Sequence, residues 1–147
     1  MNQNGFAFEY EKPIQKKKPD WLDDTAKIIM ESYTYERGGY SSFWDRITSL
    51  IAGKCNKYKD IIAANSYRFV IAIYLDFLTG ILLDEIYEES KTLRLVFDAN
   101  ESLWGTLFFT ETQDIGGKQY YDFYCFCRES SFESIPNWPF HTINLYQ

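Results

Sequence analysis

Four side chains in this sequence carry the donor atoms of a zinc site: Cys55, Cys125, Cys127 and His141. Structural zinc is usually held by cysteine pairs with two to four residues between them, placed on a turn. Here Cys125-Phe-Cys127 leaves one residue between its cysteines, inside a stretch that predicts a strand. The spacing favours cysteines that are buried and behave as small hydrophobes. Nucleophilic catalysis needs a nucleophile beside a base. The sole histidine, His141, stands in the aromatic run Trp138-Pro-Phe-His141 with no elbow or cysteine motif nearby, which suits a packing or capping role. Gly38-Gly39 and Gly116-Gly117 match neither the P-loop nor the dinucleotide pattern. Among the carboxylates, Asp76 alone interrupts an apolar run, so it is the candidate for a shifted pKa. The alternative is that it faces a narrow polar stripe, paired or wet.

The remaining acids are distributed unevenly. Residues 1–83 hold 11 Lys/Arg against 10 Asp/Glu, and residues 84–147 hold 4 against 11, so the net charge of −6 belongs to the second half. Phosphates are repelled by such a surface, which argues against nucleic acid or an anionic membrane as its partner and favours a basic one. Asp84/Glu88 and Glu85/Glu89 are like charges at i,i+4, which weaken a helix by a few tenths of a kcal/mol per pair. A solvated helix end tolerates this; a docking face for cations would use it. The expected docking face is extended by Glu101, Glu111, Asp114 and Asp122, with Trp104, Tyr120 and Tyr124 as aromatic anchors. Rings supply desolvated contact area, while acids steer a basic partner and add specificity.

The elements that must hold these residues centre on Asn65–Glu89. Asn65 and Ser66 are favoured N-cap residues, and successive residues 100° apart put Val70, Ile71, Ile73, Tyr74, Leu75, Phe77, Leu78, Ile81 and Leu82 on one wide arc. That predicts a long buried helix, breaking near Thr79-Gly80 or projecting its acidic end past the core. A strand competes over Phe69–Tyr74, which is rich in β-branched and aromatic residues. The apolar part is shorter than about 18 residues and contains Asp76, so it is no membrane span. Upstream, Gly5–Glu11 alternates as a short edge strand, and Pro13–Pro19 reads as a basic linker. Asp20–Tyr35 has Leu22, Ala26, Ile29, Met30 and Tyr33 at helical spacing. Ser42-x-x-Asp45 is a capping box for a second helix ending at Gly53, and a third short helix carries Tyr58, Ile61 and Ile62. Downstream, Leu93, Leu95 and Phe97 alternate as a strand. Leu103–Thr112 and Lys118–Arg128 are two more strands, joined by the hairpin turn Asp114-Ile-Gly-Gly117. A loop at Phe132–Phe140 precedes a possible last strand, His141–Tyr146.

This predicts one α+β domain over residues 1–147: N-terminal helices and a long central helix packed on a C-terminal antiparallel β meander. Three cysteines without framework spacing and an N-terminus lacking a signal pattern suggest a reducing, cytoplasmic setting. In overall character the chain resembles the immunity proteins of bacterial toxin systems, such as contact-dependent growth inhibition. The resemblance implies an inhibitor without cofactor that covers a cognate, basic toxin domain such as a nuclease. Asp84, Glu85, Glu88, Glu89 and the Tyr120/Tyr124 face would enter its cationic cleft. The other readings are a small enzyme using Asp76 or a scattered carboxylate pair, and a phage-encoded inhibitor of a host DNA-binding protein. Oligomeric state is open.

Overall fold

Strands form in two of the four stretches read above as helices, Asp20–Tyr35 and the first part of Asn65–Glu89. The structure is a computed structural model that describes residues 8–36, 40–128 and 142–146. Along the chain run β1 (Glu9–Tyr10), β2 (Trp21–Asp23), β3 (Ile28–Tyr35), α1 (Tyr40–Asn65), β4 (Arg68–Leu75), a 3₁₀ turn (Phe77–Thr79), α2 (Leu83–Glu88), α3 (Ser90–Asp98), β5 (Leu103–Gln113), β6 (Gln119–Cys127) and β7 (Thr142–Asn144). The fold is α+β, with one seven-stranded mixed sheet in sequential order and, among the described residues, three helices. The antiparallel meander expected at the C-terminus is reduced to the β5–β6 hairpin. β3, β4 and β5 are parallel to one another, and β7 runs parallel to β6.

The expected central helix is β4. Phe69, Val70, Ile71, Ala72, Ile73 and Leu75 are all buried because helices cover one face and apolar groups cover the other. A strand covered on both faces reads as an unbroken hydrophobic run, which a helical wheel turns into a wide arc. Asp76 ends the strand. Its Oδ1 accepts the Leu78 N–H at 2.9 Å, starting the 3₁₀ turn, and Gly80 reverses the chain at φ 70°. Asn65 and Ser66 close a helix where an N-terminus was expected: Asn65 Nδ2 donates to the Ile61 carbonyl at 2.9 Å, and Ser66 takes the left-handed φ of 55° common after a helix end.

Asp20–Tyr35 is a hairpin for a similar reason. The buried Asp23 carboxylate accepts the N–H groups of Thr25 and Ala26 at 2.9 and 2.8 Å, bending the chain where helical spacing would have it continue. Pro13–Pro19 contains a tight turn as well. Ile14 and Lys17 exchange backbone hydrogen bonds, with Gln15 and Lys16 both at positive φ. The reverse substitution of types occurs at Ser90–Asp98, expected as a strand. Leu93, Val96 and Phe97 are buried at helical spacing while Leu95 is 69% exposed.

The two expected helices between Ser42 and Ile62 are one, α1. Phe43, Ile47, Ile51, Cys55, Tyr58 and Ile61 form its buried stripe. Gly53 lies on the exposed side, where an added Cβ would meet nothing within 4 Å, so the helix passes through it. Gly53→Ala should therefore raise stability by about 0.5–1 kcal/mol, the usual helical preference for alanine, read as a higher urea midpoint at unchanged slope. All three helices bury their apolar residues against the same side of the sheet. Successive crossovers of one hand, moving in one direction, place helices this way. Among the described residues the parallel strand order does not reverse, so β3–β5 form no switch-point crevice of the kind that holds nucleotides.

Candidate partner-binding site

The acids that looked like a helix end begin two short helices. Asp84 and Glu85 occupy the first turn of α2, where the exposed N–H groups favour negative charge, and Glu85 Oε2 accepts the Leu82 N–H at 2.9 Å. Glu89 leads into α3: its carbonyl accepts the Thr92 N–H at 2.9 Å and its Oε2 accepts the Thr92 hydroxyl at 3.1 Å. Local structure thus accounts for Glu85 and Glu89, while Glu88 is exposed on α2.

Asp84 does more. α2 packs beside the β5–β6 hairpin, and the Tyr124 hydroxyl donates to Asp84 Oδ1 at 3.0 Å. Tyr87, one turn further along α2, lies against Tyr124 with ring centroids 5.5 Å apart. Strand alternation puts Asp122 and Tyr120 on the same face of β6 as Tyr124. Asp122, Phe123 and Tyr124 bound a recess of about 500 Å³ whose other walls are Leu82, Leu83, Asp84 and Thr110. The hydrogen bond to Asp84, then burial, then the charges of Asp84 and Asp122 among its neighbours, raise the Tyr124 phenol above its ordinary pKa. It stays a donor at neutral pH. Leu82 and Tyr87 stand exposed at the margin, so apolar area, rings and carboxylates face solvent together.

Of the residues expected on one docking face, Asp84, Asp122 and Tyr124 are brought together, and Tyr120 shares their face of β6 further toward the hairpin turn without lining the recess. Four others lie elsewhere. Trp104 is on the opposite face of the sheet, beneath the Arg68 guanidinium at 5.6 Å, because the β4–β5 register slips by one residue beside it. Glu111 shares the face of Leu107 and Phe109, also away from the helices. Asp114 closes the hairpin, its Oδ1 accepting the Lys118 N–H at 2.9 Å, with Gly117 at φ 80° completing the turn. Glu101 edges a separate depression of about 660 Å³ between α1 and the end of α3. Tyr87 was missed, although its i,i+3 spacing from Asp84 places both on one side of a helix.

The other chemistry read from the sequence is dispersed. Cys125 and Cys127 belong to the face opposite the three helices, whereas Cys55 belongs to the helical side. His141 lies outside the described residues, and among those described no group of three or more His, Cys, Asp or Glu is arranged to hold a metal ion. Burial pushes the Cys55 thiol up, against a hydrogen bond with Ser102, which is opposite to what an activated nucleophile requires. Asp76, read as an acid within a buried helix, is the cap described above. Among the described residues no helix is long and apolar enough to cross a membrane. No protein-family model, curated protein or solved structure matches this chain.

Proposed function

We propose that this chain is an inhibitor of the immunity type, binding and neutralising a cognate basic toxin domain through the acidic, aromatic recess between α2 and β6. The observation that carries this reading is the grouping of Asp84, Tyr87, Asp122 and Tyr124, in which two carboxylates border two neighbouring tyrosine rings. An arginine of the partner is well served there. Its planar guanidinium stacks on a ring and pairs with a carboxylate at the same time. Exposed Leu82 and Tyr87 supply apolar area around that contact, the usual environment of an interface anchor. The acidity of the second half of the chain adds steering at a distance, so association should slow as salt rises.

The test is to co-purify the chain with a basic toxin domain and measure the affinity of a double charge reversal, Asp84→Lys with Asp122→Lys. A loss of at least about tenfold, roughly 1.4 kcal/mol, is expected, most of it as faster dissociation. Unchanged affinity in a variant that melts like the parent would remove this recess as the docking face.

A further inference from the structure

The face of the sheet that carries no helix among the described residues holds a second recess. Trp21, Met30, Ala72, Leu107, Phe109 and Tyr121 line a groove of about 320 Å³ that runs across β2 to β6. Small residues make it: register sets Ser32, Ala72 and Leu107 side by side on β3, β4 and β5, and the first two leave a floor lower than the walls. The walls are aromatic and partly open to solvent, with Trp21 38% and Tyr121 60% exposed. Ring pairs brace them, Tyr10 on Trp21 at 5.0 Å and Tyr121 on Phe109 at 6.2 Å. At the small end of the roughly 300–1,000 Å³ range of ligand pockets, such a groove takes one large side chain or a small lipophile.

Its borders are acidic on both sides. On the β2 side, Asp20 Oδ2 accepts the N–H and the hydroxyl of Ser32, both at 2.7 Å, which fixes a carboxylate at the groove margin. On the β5 side, Glu111 follows Leu107 and Phe109 on the same face and is the cross-strand neighbour of Tyr121. Burial, then the charges of Glu111 and Asp76, raise the Tyr74 phenol, so that acidity reaches the β4 end too. Arg68 is the cation that strand parity places on this face. It lies four residues before Ala72, about 13 Å away at ~3.3 Å per residue, over Trp104.

We propose that this groove is a second contact site for the basic protein partner, receiving one large apolar side chain that is flanked in the partner by lysine or arginine. The inference rests on the proposed inhibitor role and adds the partner's chemistry. Acids on two borders suit cations on both sides of an apolar anchor, and they disfavour an anionic lipid or fatty acid, whose head group would meet Asp20 and Glu111. Tyr121 and Asp122 are adjacent on β6 and point to opposite faces, so the exposed start of β6 separates this groove from the recess beside α2. One partner surface astride that strand would reach both.

The test uses the full chain, ¹⁵N-labelled, and three synthetic peptides: tryptophan between two pairs of lysines, the same with alanine for tryptophan, and tryptophan between two pairs of glutamates. The lysine–tryptophan peptide is expected to shift the amides of Met30, Ala72, Leu107 and Tyr121, and the other two to leave them in place. Ala72→Leu fills the groove and should weaken that peptide at least tenfold. Glu111→Lys, a change at the border only, should weaken it several-fold and serves if Ala72→Leu fails to fold. Equal binding of the glutamate peptide, or no shifts at these residues with any peptide, would overturn the proposal. So would groove shifts with decanoate alone, or a concentration-dependent dimer abolished by Ala72→Leu, which would give the groove to a lipid or to a second copy. Shifts confined to Tyr87 and Tyr124 would remove the groove while leaving the recess beside α2 standing; loss of toxin binding on Asp84/Asp122 reversal tests that recess separately.

Discussion

Replacing Glu31 by alanine should lower stability by about 3 kcal/mol, one of the two largest effects expected of a single substitution here. Glu31 stands on β3 beneath α1 with its side chain 1% exposed. Three donors from one side of that helix converge on it: the Lys54 ammonium at Oε2, the Lys57 ammonium at Oε1 at 3.3 Å, and the Tyr58 hydroxyl, also at Oε1. Lys57 further lies over the Tyr58 ring, 4.6 Å from its centroid. Burial, then the hydrogen bond to Glu31 and its charge, raise the Tyr58 phenol far above its ordinary value, so it donates at any physiological pH. Removing the carboxylate leaves a buried hydroxyl without its acceptor and holds two cations near an apolar sheet. Lys54 and Lys57 are 29% and 41% exposed and can swing into water, which keeps the loss below that of a fully enclosed ion pair. Glu31→Gln, retaining one acceptor, should lose about half as much. In urea unfolding, Glu31→Met combined with Tyr58→Phe should recover more than half of the Glu31→Met loss, because the orphaned hydroxyl goes with its partner. A Glu31→Ala cost under about 1 kcal/mol would mean that solvent already screens the cluster.

That cluster was invisible in the sequence because its members are 23 to 27 residues apart and on different elements. Local periodicity carries no such information. The same limit explains the fold. The β5–β6 hairpin was legible, including which side chains share a face of β6, because alternation and a Gly-Gly turn are local and agree with each other. β4 was not, because its two buried faces come from α1 and from the opposite side of the sheet, neither of them encoded near Phe69–Leu75. Ser90–Asp98 failed for the converse reason: Leu93, Leu95 and Phe97 alternate by chance, and only Val96 distinguishes the helix. For the recess, acid and ring content were legible, but their grouping was not. The i,i+4 pattern of Asp84 to Glu89 pointed to an unexplained cost that capping of two helices largely removes. The contact that selects Asp84 from its neighbours is with Tyr124, 40 residues away.

Arg128→Met should be about as damaging as loss of Glu31, near 3 kcal/mol, though the residue is only half-buried and lies just past the end of β6. Its backbone N–H continues the ladder to the Trp104 carbonyl at 3.1 Å, while its guanidinium gathers carbonyls from elsewhere. Nε donates to Leu103 at 3.3 Å, and Nη2 donates to Asn100 at 3.2 Å and to Phe97. Phe97 lies in the last turn of α3, so the cation both satisfies an end carbonyl and sits at the negative end of the helix. The same plane lies 5.8 Å from the centroids of both Phe97 and Tyr146, and Nη1 approaches the Tyr146 hydroxyl at 3.5 Å. That hydroxyl in turn donates to Asp98 at 2.5 Å. One side chain thus joins the end of α3, the start of β5 and the segment after β7. Methionine keeps the length and much of the apolar contact, so the loss isolates the charge-assisted bonds. Arg128→Lys should restore less than a third, since a single ammonium cannot reach carbonyls spread along a planar fork. Amide exchange should quicken first around Ala99–Leu103 and Leu145–Tyr146, before the rest of the sheet opens. If Arg128→Met lies within about 0.5 kcal/mol of the parent, or if lysine restores it fully, the contacts are those of a solvated surface arginine and the junction is held by the apolar packing of Phe97 and Leu103 alone.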